Sequence, residues 1–208
     1  MRIVKPSFEI LPLFSGDAAL RHIETCGRVC YKSEDRIKDD SAADFVAGLI
    51  RRGHESVLEH VSVTARAICD RGISHEVVRH RIGAYSQEST RYCNYSEERF
   101  SSEITVIEPL YLERATRGYD IWKASCESDE RNYFELLNFG CVPQEARCVL
   151  PHSTKTELIM TFDLREWRHF FKLRCSMAAH PQMREVMSIG LRQFKSYIPV
   201  VFDDIKEG

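Results

Sequence analysis

The 208-residue sequence predicts a single α+β domain spanning residues 1–208, in which a small mixed or antiparallel sheet is flanked by helices. Three observations lead there. Only two stretches read as long strands, and they lie far apart in the chain. Helical patterns fill most of what surrounds them. No Pro-, Gly- or Ser-rich linker, low-complexity tract or internal repeat divides the sequence.

In chain order, Arg2 to Ile10 is short and partly apolar, as an opening strand would be. Asp17 to Tyr31 sets Ala19, Leu20, Ile23, Gly27 and Cys30 at helical spacing. Ser41 is placed to cap a second helix with Phe45, Val46, Leu49 and Ile50 as its apolar stripe, ended by Gly53. Val61, Val63, Ala65 and Ala67 alternate with polar neighbours through Cys69, the pattern of a half-buried strand. Ser74 then predicts a helix cap, with the helix running towards Arg81 until Gly83 breaks it. Glu108 to Phe139 reads as mainly helical, and Pro143 suits the first turn of a helix ending near Leu150-Pro151. Thr154 to Phe162 is the second long strand. Asp163 follows as N-cap with Glu166 at capping-box spacing, opening a helix from Leu164 to Arg174, and a last helix follows Pro181.

Composition narrows the function classes. The 29 Lys+Arg are offset by 31 Asp+Glu, giving a net charge of −2, whereas a protein that coats nucleic acid is basic overall or on one face. A phosphate bound here is therefore held locally, in a pocket. The opening MRIVKPSFEILPLF lacks the apolar run of a signal peptide, and no run approaches the roughly 18 apolar residues of a membrane span. A cytoplasmic protein, without membrane or nucleic-acid partners, is expected. Eight cysteines with no CxxC pair read as reduced thiols rather than disulfides or a zinc site. Neither a GxGxxG nor a GxxxxGK[ST] loop occurs.

Five stretches carry residues suited to chemistry. HEVVRH, His75 to His80, resembles a zinc-binding HExxH with one residue too many: histidines five apart on a helix point about 140° from each other, so no metal is assigned. Arg79-His80-Arg81 is followed by Ser86, Gln87, Ser89 and Arg91, a concentration of guanidinium forks and hydrogen-bonding side chains that suits a phosphate and the polar edge of a base. GHESVLEH, Gly53 to His60, packs two histidines, two glutamates and a serine between a helix and a strand. PQEARCVLP, Pro143 to Pro151, sets Arg147 inside a short helix. In the helix from Asp163 to Arg174, Arg165 and His169 share a face, while Trp167, Phe171 and Arg174 line another.

Together these stretches resemble the flavin-dependent thymidylate synthases. Arg79-His80-Arg81, seven residues, then Ser89 matches that family's RHR-x7-S signature; GHESVLEH, PQEARCVLP and DLREWRHFFKLR are similar to three further family segments, in the same order. The resemblance implies a homotetramer with composite sites at subunit interfaces, moving a methylene group from methylenetetrahydrofolate to C5 of dUMP, with NADPH reducing bound FAD and the flavin supplying the completing hydride. It also implies that no cysteine need attack the uracil ring. By position, Ser56, Arg79, His80, Arg81, Gln87, Asp163, Arg165 and His169 would hold FAD. Glu76, Arg79, Gln87, Glu88, Ser89, Arg91 and Arg147 would form the dUMP pocket. Arg174 would lie beside the uracil and favour ionisation at N3, with His54 close to flavin and substrate. The chain departs from the family where Ala84 replaces a common serine, Ser86 and Asp163 replace common asparagines, and Gln87-Glu88 replaces a glutamate followed by an apolar residue. Two other readings are a dUMP hydroxymethylase of related chemistry and a nucleic-acid-binding module using Arg79, Arg81 and Arg91.

Overall fold

The computed structural model describes all residues, Met1–Gly208, and shows an α+β fold of small sheets with flanking helices. It divides into two compact units. The first comprises Met1–Ser7, Ala67–Arg79 and Ser86–Leu158; the second comprises Phe8–Arg66, His80–Tyr85 and Ile159–Gly208. The larger sheet has the strand order β2 (Ser7–Leu11), β3 (Ser62–Asp70), β6 (Lys155–Asp163), β4 (Ala84–Gln87). The division falls within all four of these strands. The alternation read from the sequence is realised in β3, where Val63, Ala65, Ala67 and Cys69 are buried, and in β6 the structure buries Thr156, Leu158, Met160 and Phe162.

In the first unit, β1 (Arg2–Val4) pairs in parallel with β5 (Thr105–Ile107), Ile3 opposite Val106, and Val106 makes an antiparallel bridge to Thr154. Pro6 follows β1, so the expected opening strand is two short ones, β1 and β2. The long helix α4 (Arg117–Phe139) is capped by Thr116 and ends at Gly140, whose φ of 106° is left-handed. It packs Cys126 and Tyr133 against Tyr95, Ile104, Val106 and Ala146, the last from the short helix α5 (Pro143–Ala146). Helix α3 (Arg71–Val77) corrects the expected one. Asp70 is the cap, accepting from the Ile73 N–H at 2.7 Å, and Ser74 is a buried interior residue donating to Arg71 O at 2.8 Å. The helix stops before Arg79, so no helix remains for Gly83 to break.

The second unit holds α1 (Gly16–Arg28), α2 (Ser41–Arg51), a 3₁₀ segment Glu55–His60, α6 (Leu164–Arg174), α7 (Pro181–Tyr197) and α8 (Pro199–Phe202). Ser41 does not cap α2. It is the first helical residue, and its hydroxyl lies 2.8 Å from both oxygens of Glu24, a buried carboxylate also paired with Arg28 at 2.7 Å. Such a carboxylate is costly without donors, and Ser41 supplies one. The core of this unit is aromatic: Trp167 stacks on Phe171 at 5.4 Å, with Phe8, Phe162, Phe194 and Phe202 around them. The Trp167 indole N–H donates to Val63 O at 2.9 Å. All eight cysteines are free thiols; burial pushes Cys69 and Cys175 up to about 12 and Cys126 up to about 11. No helix is long and apolar enough to cross a membrane.

Candidate active site

The residues predicted to do chemistry fall into two groups, one in each unit. In the second unit the organiser is α6. Asp163 caps it, accepting from the Glu166 N–H at 2.8 Å, as expected. Glu166 does not complete the reciprocal half of a capping box, because its carboxylate is bonded to His80 Nδ1 at 2.9 Å. His80 is 7% exposed, its ring edge-on to Phe170 with centroids 4.7 Å apart. Its Nε2 accepts from Arg174 Nε at 3.0 Å, and Tyr85 OH donates to its carbonyl at 2.5 Å. Burial holds the His80 imidazole below its ordinary range, opposed by the Glu166 hydrogen bond and reinforced by the Arg174 charge. Burial, then the Glu166 carboxylate, pushes Tyr85 up to about 12.

Beside this triad lies a cavity of about 600 Å³. Four carboxylates (Glu55, Glu59, Asp163, Glu166) face Arg165, Lys172 and His169 across it, and Ile82 adds an apolar wall. Arg165 pairs with Glu59, and Lys172 lies 3.8 Å from Glu55. Glu55 also braces Arg168, a buried cation that makes two 2.7 Å bonds to Asp204. His54 and Ser56, predicted near flavin and substrate, are exposed at the start of the 3₁₀ segment and outside this lining.

Ligand atoms of His80, Glu166 and His169 all lie within 4.8 Å of one another, a spacing open to a metal ion. The bonding argues against one. Arginine is only a donor, so His80 Nε2 must spend its lone pair on Arg174 and Nδ1 must carry the proton given to Glu166. His80 then has no lone pair for a metal.

In the first unit the loop after β4 gathers the second group. Gln87 Nε2 donates to Ser74 Oγ at 2.9 Å and to Thr156 Oγ1 at 3.1 Å. Both oxygens of Glu88 are engaged, by Tyr95 OH at 3.0 Å and Lys155 Nζ at 2.7 Å. Burial first, then Glu88, pushes the Tyr95 phenol well above its usual range. Ser89 Oγ accepts from the Arg91 N–H at 3.2 Å. The PQEAR segment meets this loop at two points: Arg91 Nε donates to Gln144 at 3.0 Å, and Arg147 Nη1 to Thr90 at 3.4 Å. Glu76 is half-buried on α3. Arg79 in this unit and Arg81 in the other are exposed, with no side-chain partner in the chain.

Sequence reasoning missed Glu166, Tyr85, Ser74, Thr156, Lys155 and Tyr95 as parts of these clusters. Glu166 and Ser74 carried a signal, but it was spent on helix caps.

Known proteins resemble this chain over most of its length. Residues 13–200 match the family described as thymidylate synthase complementing protein. A flavin-dependent thymidylate synthase of Geobacter sulfurreducens is 32% identical over 193 residues, covering 89% of this chain and 82% of that protein. One from Mycobacterium avium is 33% identical over 202 residues, with 88% and 78% covered. The Pyrococcus furiosus protein of the same name is 36% identical over 156 residues, 74% of this chain, and the match spans only 63% of its length. Among solved structures, the UMP/dUMP methylase PolB of Streptomyces cacaoi shares the fold, with a TM-score of 0.78 at 22% identity over 98% of this chain and 96% of that one. The chain therefore belongs to the thymidylate synthase complementing protein family, that of the flavin-dependent thymidylate synthases.

Proposed function

We propose that this chain is a flavin-dependent thymidylate synthase that binds FAD and converts dUMP to dTMP, with methylenetetrahydrofolate as carbon donor and NADPH as reductant. The whole span 1–208 serves as one functional domain, in a cytoplasmic homotetramer whose subunits share sites. The observation that carries this reading is the splitting of the RHR triplet. His80 is buried and bonded at both ring nitrogens, while Arg79 and Arg81 stand exposed with no partner in the chain. Unpaired guanidinium groups flanking a fixed imidazole are what two phosphate-bearing ligands require of a chain with no net basicity.

FAD is tested against the second-unit cavity by size and charge. About 600 Å³ lies within the range of ligand pockets. Its carboxylates outnumber its cations, and Arg165 is already paired with Glu59, so Arg79 and Arg81 would have to supply the positive charge for the pyrophosphate. Asp163 adds a negative charge to the cavity lining, yet its Oδ1 is occupied by the helix cap. The group fits on those terms, with Arg165 and His169 along the cavity wall. When bound and reduced, FAD supplies the hydride that completes the methyl group.

The residues of the chain do the rest. Arg91 and Arg147 meet the dUMP phosphate, with Ser89 beside them. Arg174, a guanidinium bonded to His80, stabilises negative charge developing on the uracil ring. The test is the visible spectrum of the purified protein, then dUMP-dependent NADPH oxidation with methylenetetrahydrofolate and mass analysis of the product. A flavin spectrum and dTMP are expected; a colourless protein that FAD does not bind, or a hydroxymethyl product, would overturn the reading.

A further inference from the structure

We infer that Ser74 and Thr156 are positioning residues that lock Gln87 as an obligate hydrogen-bond acceptor for a donor group on the pyrimidine nucleotide. The inference rests on the nucleotide reading above. A glutamine amide offers two donors at one end and an acceptor at the other, and only its surroundings decide which end faces where. Here Ser74 decides. Its single hydroxyl proton goes to Arg71 O at 2.8 Å, so towards Gln87 it has only a lone pair, and the amide atom 2.9 Å away must be the NH2. The second amide proton goes to Thr156 Oγ1 at 3.1 Å. Turning the amide over would set two oxygens against each other beside a fully buried serine and a fully buried threonine. Both donors are consumed, and Oε1 of half-buried Gln87 has no partner in the chain.

The consequence is chemical. As an amide, Gln87 presents an acceptor oxygen without a negative charge. The adjacent carboxylate, Glu88, is offset by Lys155 at 2.7 Å. The loop bearing Arg91 thus offers an acceptor and cations together, with no uncompensated anion to oppose a phosphate. On dUMP two groups donate, the 3′-hydroxyl and the ring N3–H, and Gln87 Oε1 reads one of them.

The experiment measures dUMP affinity by calorimetry for the wild-type protein and for Gln87→Leu, Ser74→Ala and Ser74→Thr. It is repeated with 2′,3′-dideoxy-UMP, which lacks the hydroxyl, and 3-methyl-dUMP, which lacks the N–H. Gln87→Leu is expected to weaken dUMP about 10–100-fold, the range for leaving one donor unpaired. Ser74→Ala frees the amide and is expected to weaken dUMP about 3–10-fold, and Ser74→Thr to restore it. The wild type should lose affinity for one of the two analogues, and Gln87→Leu should bind that analogue and dUMP equally. Melting temperatures are measured for every variant, and an unchanged value separates a loss of binding from a loss of folding. If the wild type binds dUMP and Gln87→Leu binds it as tightly, or neither analogue is discriminated, the inference is overturned while the nucleotide reading stands. If the wild type binds no dUMP at all, the reading itself falls.

Discussion

The Nε–H of Arg174 donates to Nε2 of His80 across 3.0 Å, and Nδ1–H of the same ring donates to Glu166 across 2.9 Å. A carboxylate, an imidazole and a guanidinium are thereby tied in line, and Glu166 holds the His80 tautomer that can accept from Arg174. Glu166→Ala removes the acceptor that fixes the ring's tautomer; the ring is then free to present a proton to a group that has only protons. With FAD in excess, kcat at saturating dUMP is expected to fall about 100-fold, the scale for a displaced catalytic group. Glu166→Gln, which still offers an acceptor, is expected to keep most activity. Equal kcat in wild type and Glu166→Ala would show that Arg174 needs no such support.

The same bonds predict a pH dependence of stability. The groups facing His80 are Glu166, Arg174 and His169, and burial leads in holding its folded-state value below the ordinary 6.5. The unfolded chain therefore takes up this proton first as pH falls. The contribution is fully present above about pH 6.5 and is lost progressively below it, towards the depressed folded value, with a slope of up to about 1.4 kcal/mol per pH unit. Urea unfolding between pH 7.5 and 5.5 is the measurement. His80→Gln is expected to show a shallower decline, and an identical one would remove His80 as the source.

Several elements were legible because local signals suffice for them. Asp163 followed by an aromatic stripe marks α6 from Leu164 to Arg174, alternation marks β3, and the strand expected over Thr154 to Phe162 is β6. What the sequence concealed depends on partners distant in the chain. Strands β4 and β5 are four and three residues long, too short to show a period, and are strands only because of what they pair with. Ser74 was taken for a cap because the true cap, Asp70, closes an apolar strand. The RHR-x7-S spacing singled out the segment from Arg79 to Ser89. It could not show that His80 would be buried beside Phe170 while Arg79 and Arg81 stayed exposed.

Arg168 predicts an asymmetry in stability. Its side chain is 1% exposed, while its partners Glu55 and Asp204 are 21% and 52% exposed. Removing both carboxylates, as Glu55→Ala with Asp204→Ala, strands a buried cation and is expected to cost about 3–5 kcal/mol. Arg168→Met instead removes the buried charge, keeps much of the volume and leaves carboxylates that reach water. It is expected to cost about 1–2 kcal/mol, from the lost bond to Val201 O. Urea titration of both variants decides; a larger loss for Arg168→Met would mean that burial of the cation is not the governing cost.

Gly83 sits inside the basic segment for a reason of space. A Cβ there would lie 2.1 Å from Cδ1 of Phe162 and 3.0 Å from the backbone oxygen of Thr161. Phe162 has little room to yield. It is 1% exposed and held by Trp167 at 4.6 Å, Phe170 at 5.6 Å and Tyr85 at 5.7 Å. Gly83→Ala is therefore an overpacking change, expected to cost about 1–3 kcal/mol. Gly53 is the contrast: its φ of 73° is left-handed, but nothing lies within 4 Å of its would-be Cβ. Gly53→Ala is expected to cost only the backbone term, about 1–2 kcal/mol. The two differ in how they respond to a second change. Phe162→Leu makes room and is expected to recover part of the Gly83→Ala loss while leaving that of Gly53→Ala untouched, so a double-mutant cycle should give a coupling of about 0.5–3 kcal/mol for the first pair and none for the second. Strict additivity at Gly83 would mean that close approach to Phe162 is not what the glycine provides.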